Sequence, residues 1–490
     1  MRKITDLQFE NTYRKLPEDF YHLVKPTPFN NPHFVAFNSD AAALIDLDSH
    51  EAENPEFSDY IVGKKMLPGS DPFAMYYTGH QFGVYNPDIG DGRAILLGEV
   101  RNNKGESWDL HLKGSGRTEF SRVFDGRAVL RSSIREYLCS EAMNGLGIPT
   151  TRALCIIGSD EKVERETTER GAMIVRMAPT HVRFGSFEAL HYSDRADYVK
   201  LLADYVIEHH FPDLISESDK YPLFFSEVVG RTAKLVSKWQ SIGFTHGEVM
   251  NTDNMSITGL TIDYGPYGFL EDYNPEFTPN HSDSFGRYSF QNQPAIARWN
   301  LNKLAVALSS IIDGERVQKN LDEFRNIYSQ SYVDIMSKKL GFNVQLPEDV
   351  ELIKRILDIL VNDEVDYTIF FRKLGNISSS NSDNGLDIVS MFEDSTAITD
   401  WITSYKLRLK AENSTDSMRK NEMDLINPKF ILRNYLAENA IRKAVDARDY
   451  SEIERLHRIL RDPFSEQIQY QDYAAASPDW GKKLAISCSS

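Results

Sequence analysis

The sequence predicts an α+β protein in which a β-rich part precedes a larger helical part. Between about residues 90 and 180, short apolar runs of strand character alternate with turn residues. Beyond residue 190, apolar residues recur at the spacing of amphipathic helices over most of the chain. The 490 residues are 41% hydrophobic and 26% charged, which is typical of a globular protein, and the length allows two or three domains or one large elaborated domain.

Composition excludes several classes of protein. The net charge of −17 opposes general nucleic-acid binding, which needs a basic surface. No apolar run approaches the roughly 18–20 residues that span a bilayer. The N-terminus carries acidic residues and has no apolar core of signal-peptide length. We therefore expect a cytoplasmic protein with neither nucleic-acid nor membrane partners.

The first 190 residues contain the predicted sheet. Residues 1–75 mix short apolar pieces with Pro-rich turns, which indicates an N-terminal extension that wraps the core, and residues 76–190 form a β-rich lobe. Within this lobe the patterns predict a two-stranded hairpin, a helix that stops at a glycine, and two further strands joined by a charged loop. These elements cover residues 94–101, 108–114, 132–147, 153–159 and 171–178, with the charged loop at 160–171.

Residues 191–490 are predicted to form a helical lobe that contains a functional loop at 246–269 and ends in a tail. A small sheet with one helix, followed by a larger helical lobe, is the plan of a protein-kinase-like two-lobed fold. A fold alone does not establish a function, so only particular residues can indicate one. Helical periodicity covers residues 195–211, 224–243, 300–312, most of 316–373, 396–412 and 430–461, and a Ser/Asn-rich loop is predicted at 375–385.

A glycine-rich turn precedes the first strand of the hairpin. Gly90 and Gly92 let the backbone approach phosphates closely, and Arg93 adds charge-assisted hydrogen bonds. The alternative is a plain hairpin turn, because Gly-x-Gly by itself is weak evidence for nucleotide binding.

Lys113 ends an alternating strand, and Glu136 lies inside the helix that follows. In kinases a strand lysine contacts the nucleotide phosphates and a helix glutamate holds it, whereas the alternative is an ordinary surface lysine and glutamate. The density of positive charge favours the phosphate interpretation, because nine basic residues lie between 90 and 135 against six acidic ones. The nine are Arg93, Arg101, Lys104, Lys113, Arg117, Arg122, Arg127, Arg131 and Arg135.

Two further features lie close by in the sequence. Asp125 and Gly126 form a predicted turn in the loop RVFDGRAVLRSS, as expected of a lid over a ligand. Arg176 follows an apolar strand, where a charge is unfavourable unless it is paired or faces a ligand, and Arg183 follows shortly after. A structural ion pair is the alternative for Arg176.

The segment HGEVMNTDNMSITGLTIDYGPYGF, residues 246–269, contains a candidate metal site. Mg²⁺ takes one or two carboxylates together with phosphate oxygens and waters. Asn254 and Asp263 offer an amide oxygen and a carboxylate on either side of a short apolar hairpin, and a capping aspartate in a loop does not explain both. Asp253 beside them is either the acceptor of a proton from an attacking hydroxyl or a hydrogen-bond partner of the metal ligands.

Four long motifs resemble the selenoprotein O (YdiU) family, and the resemblance runs from near residue 20 to the end. It implies a protein-kinase-like fold that binds ATP in a flipped orientation and transfers AMP to Ser, Thr or Tyr hydroxyls of target proteins. For bacterial members it also implies uridylylation, with UTP and Mn²⁺. The motifs are YTGHQFGVYNPDIGDGRAILLGEV, LHLKGSGRTEFSRVFDGRAVLRSSIREYLCSEAM, NTDNMSITGLTIDYGPYGFLEDYNP and NHSDSFGRYSFQNQPAIARWNL.

The resemblance also implies a role for each matching residue. Glu136 would hold Lys113, and Asp253 would accept the proton. Asn254 and Asp263 would bind Mg²⁺ or Mn²⁺, with Asp263 also near the nucleotide. The remaining contacts with the nucleotide would come from Gly90, Gly92, Arg93, Lys113, Asp125, Gly126, Arg176 and Arg183.

The chain departs from the family pattern in two places. The family loop reads His-Gly-x-x-Asn-Thr-Asp-Asn, and this chain has one more residue, Glu248, between His246 and Asp253. Some relatives are thought to be redox-regulated through a C-terminal cysteine, here Cys488, which the sequence places in an exposed tail. No cysteine lies between Gly265 and Ser487, and the other two, Cys139 and Cys155, stand in apolar surroundings that predict burial.

Three functions follow as hypotheses. The first is a protein adenylyltransferase. The second is a conventional kinase, which the missing His-x-Asp base and the abundant arginines disfavour. The third is a catalytically silent ATP-binding scaffold, which the full set of lysine, glutamate, asparagine and aspartate disfavours.

Overall fold

The computed structural model describes residues 1–380, 385–412, 414–484 and 486. It is a mixed α+β structure, as predicted, and its strands are antiparallel. The strands are β1 (Tyr21–Leu23), β2 (His33–Phe37), β3 (Phe73–Met75), β4 (Gly79–Gln81), β5 (Val84–Asn86), β6 (Ala94–Arg101), β7 (Ser107–Lys113), β8 (Ala128–Val129), β9 (Arg152–Glu164), β10 (Thr168–Ala178), β11 (Phe244–Thr245) and β12 (Gly268–Phe269).

Helices dominate after residue 184, and α3 is the one long helix that precedes them within the described residues. The α-helices are α1 (Ser39–Leu44), α2 (Phe57–Ile61), α3 (Leu130–Gly145), α4 (Phe184–Tyr192), α5 (Ala196–His210), α6 (Lys220–Ile242), α7 (Gln293–Ala307), α8 (Gly314–Lys339), α9 (Asp349–Asn362), α10 (Tyr367–Leu374), α11 (Leu386–Val389), α12 (Ser395–Leu409), α13 (Asp416–Asp424), α14 (Asn434–Ala447), α15 (Ser451–Leu460) and α16 (Asp479–Lys482).

The main sheet has the strand order β1-β3-β6-β7-β10-β9-β2, with β8 paired to β10. The predicted hairpin is confirmed as β6 and β7, which pair from Ala94 with Lys113 to Arg101 with Ser107. Its turn is closed by Asn102, whose side-chain oxygen accepts hydrogen bonds from the backbone amides of Lys104 and Glu106 at 3.0 and 2.9 Å.

The prediction of a charged loop at 160–171 is wrong. Strands β9 and β10 continue through this segment, and Glu164 pairs with Thr168 across a short turn. Charged residues are compatible with a strand where its faces meet solvent, and Val163 on this extension is still buried. The run of charged residues therefore indicates the exposed end of a hairpin and not a loop.

The N-terminal residues form part of the sheet as well as wrapping it. Strands β1 and β3 extend one edge and β2 forms the other. Helices α1 and α2 pack on one face, together with Leu110 and Leu112 of β7, while α3 packs on the opposite face. Because side chains alternate along a strand, His111 and Lys113 face α3. The boundaries of the extension and lobes at residues 75 and 190 stay predictions.

The helical part has an apolar cluster of its own, built by α8, α9, α10 and α12. The Ser/Asn-rich segment predicted as a loop follows α10; its residues 375–380 carry no regular structure, and 381–384 lie outside the described residues. None of the helices in the described ranges is both long enough and apolar enough to cross a membrane.

Lys339 is buried inside this helical cluster at the end of α8. Its ammonium group lies 5.3 Å from the ring centroid of Tyr367 and 4.4 Å from that of Phe371. Burial lowers the pKa of Lys339 from its ordinary 10.5 to about 7. The unfolded chain therefore binds more protons than the folded chain between these two values, and folding becomes more favourable as the pH rises through that window.

We expect Lys339→Met to raise the free energy of unfolding, and to raise it more at pH 7 than at pH 9.5. The reason is that deprotonating the buried amine costs about 1.4 kcal/mol for each unit of pH below its unfolded pKa. Urea denaturation at the two pH values measures the difference. Lys338→Met, at the exposed neighbouring position, is the matched control and should show no such pH dependence.

Candidate active site

A cluster of four charged side chains lies where β7 and β10 meet α3 and the loop of residues 246–269. In the register of β7 and β10, Lys113 pairs with Ile174 and His111 with Arg176. Residues paired across neighbouring strands point to the same face, so the lysine and the arginine both face α3. There they meet Glu136 from the middle of that helix.

Each cation of this cluster contacts both carboxylates. The Lys113 ammonium donates to Glu136 Oε2 at 2.7 Å and to Asp263 Oδ1 at 3.0 Å. The Arg176 guanidinium donates to Glu136 Oε1 at 3.1 Å and to Asp263 Oδ2 at 3.4 Å. Three of the side chains are at most 5% exposed, while Asp263 is 21% exposed. Asp263 is thus the member of the cluster that is most accessible from solvent.

The charges around Asp263 keep it ionised. Burial alone would raise its pKa, but Lys113, Arg176 and Arg93 hold the pKa well below its ordinary value. Its backbone has a φ of +59°, a conformation that few residues other than glycine adopt. Strain of this kind persists only where surrounding contacts enforce it, and it directs the carboxylate toward both cations.

A second chain of contacts links Arg176 to the glycine-rich turn. The guanidinium donates to His111 Nδ1 at 2.8 Å, and the other ring nitrogen lies 3.0 Å from Asp91 Oδ2. Because arginine can only donate, the ring must accept at Nδ1 and carry its proton at Nε2. Burial lowers the pKa of His111, which keeps the ring neutral. Sequence reasoning missed both Asp91 and His111, although His111 stands two residues before Lys113 on the same face of a strand.

The glycine turn packs under the loop of residues 114–127. Gly90 has a φ of +100°, and a Cβ atom there would lie 2.6 Å from the ring of Phe120. A Cβ atom at Gly92 would lie 2.8 Å from the backbone oxygen of Phe120. The Thr118 hydroxyl donates to the backbone oxygen of Asp91 at 2.7 Å. Close packing accounts for both glycines, and their contact with a nucleotide stays a prediction.

Asp125 and Gly126 secure the far end of this loop. The exposed carboxylate of Asp125 accepts two hydrogen bonds from Arg165, at 2.9 and 3.0 Å, and a third from the backbone amide of Arg127. A Cβ atom at Gly126 would lie 2.1 Å from the backbone oxygen of Gly116, so only glycine fits there. The structure gives both residues a role in holding the loop, while a contact with nucleotide stays a prediction.

The Arg183 side chain holds the functional loop by binding the backbone of that loop. Its guanidinium donates to the backbone oxygen of Asp253 at 2.9 Å and stacks 4.3 Å from the ring centroid of Tyr77. The other predicted arginine, Arg93, is exposed and close enough to Asp263 to lower the pKa of that carboxyl. Arg93 therefore borders the charged cluster, and Arg183 borders Asp253.

The predicted hairpin between Asn254 and Asp263 is present in a short form. A single 3₁₀ turn covers Thr252–Asn254, and Met255 then pairs with Thr261 in an antiparallel bridge. Met255 directly follows Asn254, and Thr261 precedes Asp263 by two positions. The hairpin therefore brings the chain back toward the residues that begin it.

Asp253 carries a buried oxygen that lacks a partner. Its Oδ2 accepts from the Gln81 amide at 3.1 Å, whereas Oδ1 is buried and has no hydrogen-bond partner in the described structure. Burial raises the pKa of Asp253 to about 6. An unsatisfied buried carboxylate oxygen is unfavourable unless a ligand or a proton completes it.

The oxygens of Asn254 and Asp263 suit a divalent cation such as Mg²⁺ or Mn²⁺. They are hard ligands, and one carboxylate with one amide leaves coordination positions for phosphate oxygens and waters. The described residues contain no group of three or more His, Cys, Asp or Glu side chains that would hold a metal by themselves.

A buried network outside the sequence predictions positions this loop. The Thr252 hydroxyl accepts from the backbone amide of His80 at 2.7 Å and donates to Glu188 Oε2 at 2.8 Å. The His80 ring lies 3.1 Å from Glu188 Oε1, and Glu188 is fully buried. The motif YTGHQFG contains His80, but nothing in its pattern revealed the partner on α4.

His246 and the residue added after it are accommodated by local structure. Residues Gly247–Val249 form one 3₁₀ turn, and the His246 backbone amide donates to the Gln293 side chain at 2.8 Å. The imidazole is fully buried, 5.0 Å from the ring of Trp239, and burial lowers its pKa to about 4. This histidine is therefore a neutral core residue.

Several of the nine basic residues face carboxylates and not the candidate site. Arg101 pairs with Glu10, Arg127 with Glu161 and Arg131 with Glu169. The local excess of positive charge thus overstates the number of cations available to phosphates. Cys139 and Cys155 are buried, as predicted. Cys488 lies outside the described residues.

Comparisons with known proteins agree on one family. The family model described as protein adenylyltransferase SelO matches residues 3–461. A protein nucleotidyltransferase YdiU of Myxococcus xanthus is 50% identical over 490 residues, with both chains fully covered. Proteins of the same name from Thiobacillus denitrificans and Thioalkalivibrio sulfidiphilus are 49% and 50% identical, again over the whole of each chain.

We expect Thr252→Val to lower the free energy of unfolding by about 1–3 kcal/mol, because the His80 amide and one Glu188 oxygen lose a buried partner. Urea denaturation measures the change. Thr403→Val, on the exposed face of α12, is the control and should change stability by much less. Equal effects of the two substitutions would show that the network contributes nothing beyond packing.

Proposed function

The chain belongs to the SelO family of protein nucleotidyltransferases, and we propose that it moves AMP from ATP to Ser, Thr or Tyr hydroxyls of acceptor proteins. Pyrophosphate is the second product, and UTP is a second donor to be tested beside ATP. The observation that supports this proposal best is the buried cluster of Lys113, Glu136, Arg176 and Asp263 beside the unpaired oxygen of Asp253. We also propose that the sheet and the helical part form the two lobes of a protein-kinase-like fold.

Positive charge near the triphosphate is the first requirement of this reaction. Charge develops on the non-bridging oxygens and on the leaving pyrophosphate, and preorganised cations stabilise it. Lys113 and Arg176 are held in place by Glu136 before any ligand arrives. Arg93 and Arg183 border the same space, and Gly90 and Gly92 form the turn beneath it, with Asp125 and Gly126 at the end of the covering loop.

The metal ligands in this proposal are Asn254 and Asp263. A bound Mg²⁺ or Mn²⁺ supplies charge neutralisation at the phosphate oxygens. Asp263 is ionised and partly exposed, which suits it to this task. Its oxygens already contact Lys113 and Arg176, so the same carboxylate joins the cation site to the phosphate-binding side chains.

Asp253 is the proton acceptor in the transfer step. The acceptor hydroxyl oxygen forms a bond to the α-phosphorus, the bond from that phosphorus to the bridging oxygen breaks, and pyrophosphate departs. The hydroxyl proton passes to Oδ1 of Asp253, the oxygen without a partner. With a pKa of about 6, this carboxyl is mostly ionised at pH 7 and is a stronger base than an ordinary aspartate.

Labelled nucleotides distinguish this function from its alternatives. The protein is incubated with Mg²⁺ or Mn²⁺ and a generic protein acceptor, using ATP labelled on the α-phosphate in one sample and on the γ-phosphate in another. Transfer of the α-label alone supports adenylylation. Transfer of the γ-label alone would show a kinase, and binding of ATP without either transfer would show a scaffold. UTP labelled on the α-phosphate tests the second donor.

We expect Asp263→Ala to lower the rate of transfer by at least about 100-fold, since it removes a metal ligand and leaves Lys113 and Arg176 with one carboxylate between them. Rates of α-label transfer at saturating Mg²⁺ measure the effect, and circular dichroism checks the fold. The control Asp400→Ala, at an exposed position on α12, should retain the full rate. A fully active Asp263→Ala would remove Asp263 from the metal site.

We expect Lys113→Ala to weaken ATP binding and to lower kcat/KM by about 100-fold or more, because its charge is lost from the phosphate pocket. Titration of a fluorescent ATP analogue and transfer kinetics separate the two effects. Lys354→Ala, on the exposed side of α9, is the matched control. Undiminished binding and turnover in Lys113→Ala would place the lysine outside the nucleotide site.

A further inference from the structure

We propose that a groove beside the functional loop binds the acceptor protein through an apolar side chain and an acidic side chain near the target hydroxyl. This inference rests on the proposed function and names the chemistry of its second substrate. The groove has a volume of about 710 Å³. Its walls come from the segment after β4, the loop of residues 282–287 and the start of α7.

One wall of the groove adjoins, along the chain, a residue that is hydrogen-bonded to the proposed proton acceptor. Gln81, which donates to Asp253 Oδ2 at 3.1 Å, immediately precedes Phe82 in the groove wall. The backbone amide of Phe82 donates to the Tyr288 hydroxyl at 2.8 Å, and that hydroxyl donates to Asn251 at 2.7 Å. An acceptor segment lying in this groove is therefore next to the loop that carries Asp253.

Two aromatic side chains are exposed in this groove, and contact of their apolar surface with water is unfavourable in the free protein. Phe285 is 98% exposed and Phe82 is 46% exposed. Phe82 also has a φ of +51°, which is a rare and unfavourable conformation for a bulky residue. Strain and exposure at one site, next to reactive groups, indicate a surface that is completed by a partner.

Arg287 adds a charge preference to the same groove. Its guanidinium lies 4.9 Å from the ring of Trp299 and 5.5 Å from that of Tyr288. Its Nε is buried without a hydrogen-bond partner among the described residues. The residue as a whole is half-buried, so an acidic side chain of the acceptor would pair with the outer edge of the guanidinium, which stacking on aromatic rings fixes in advance. Phe285 and Ile296 in the same groove suit an apolar side chain.

An oriented peptide library tests the proposal. Each peptide carries one fixed Ser, Thr or Tyr with varied flanking residues, and transfer from ATP labelled on the α-phosphate identifies the preferred flanks. We expect the unaltered protein to select an aromatic or aliphatic residue at one flanking position and Asp or Glu at another. Phe285→Ser should abolish the apolar preference and raise KM for a selected peptide about tenfold, while kcat and ATP affinity are retained. Arg287→Gln should abolish only the acidic preference.

Leu425→Ser is the matched control, because Leu425 is 70% exposed far along the chain on the surface after α13. If Phe285→Ser behaves as this control does while transfer proceeds, the groove proposal is overturned and the proposed function stands. If the unaltered protein transfers no α-label, the proposed function is overturned, and the groove proposal with it. If Phe285→Ser converts a dimer into a monomer in sedimentation, the occupant is a second copy of the chain, which also overturns the proposal.

Discussion

The arrangement of two buried cations between one buried and one partly exposed carboxylate is the constraint on which the rest of this structure depends. Two strands, one helix and one loop supply the four side chains, which are Lys113, Glu136, Arg176 and Asp263. Each cation contacts both carboxylates. Removing charges from water is costly, and only mutual pairing with good geometry compensates for it. The cluster therefore joins α3, the paired strands β7 and β10, and the end of the hairpin before Asp263.

The loop of residues 246–269 depends on a different kind of support. Its backbone is held by Arg183, and its threonine hydroxyl is held by His80 and Glu188. These contacts leave the Asp253 side chain with one buried oxygen that has no partner among the described residues. Such an oxygen is free to accept a proton or a hydrogen bond from a ligand.

The local patterns of the sequence predicted much of the fold and the principal charges of the site. The hairpin of β6 and β7, the helix α3 and the long helices α5 and α6 follow from periodicity and from turn residues, which are local signals. The charged end of the β9–β10 hairpin was misread, because charge indicates exposure and not the absence of pairing. Glu188 and His111 were missed, because their importance comes from partners distant in the chain. Phe82 and Asp263 adopt their strained backbones through tertiary contacts, and no single-residue preference indicates this.

The proton positions around His111 have a consequence for how this site can change. Arg176 offers only donors, so the ring must present a lone pair to it, and Asp91 must then be the acceptor at the other ring nitrogen. Each of the three residues thus depends on its neighbour for a matching donor or acceptor. A library that randomises one of these positions at a time would sample almost only mismatched sets, whereas one that varies all three together can reach other consistent combinations.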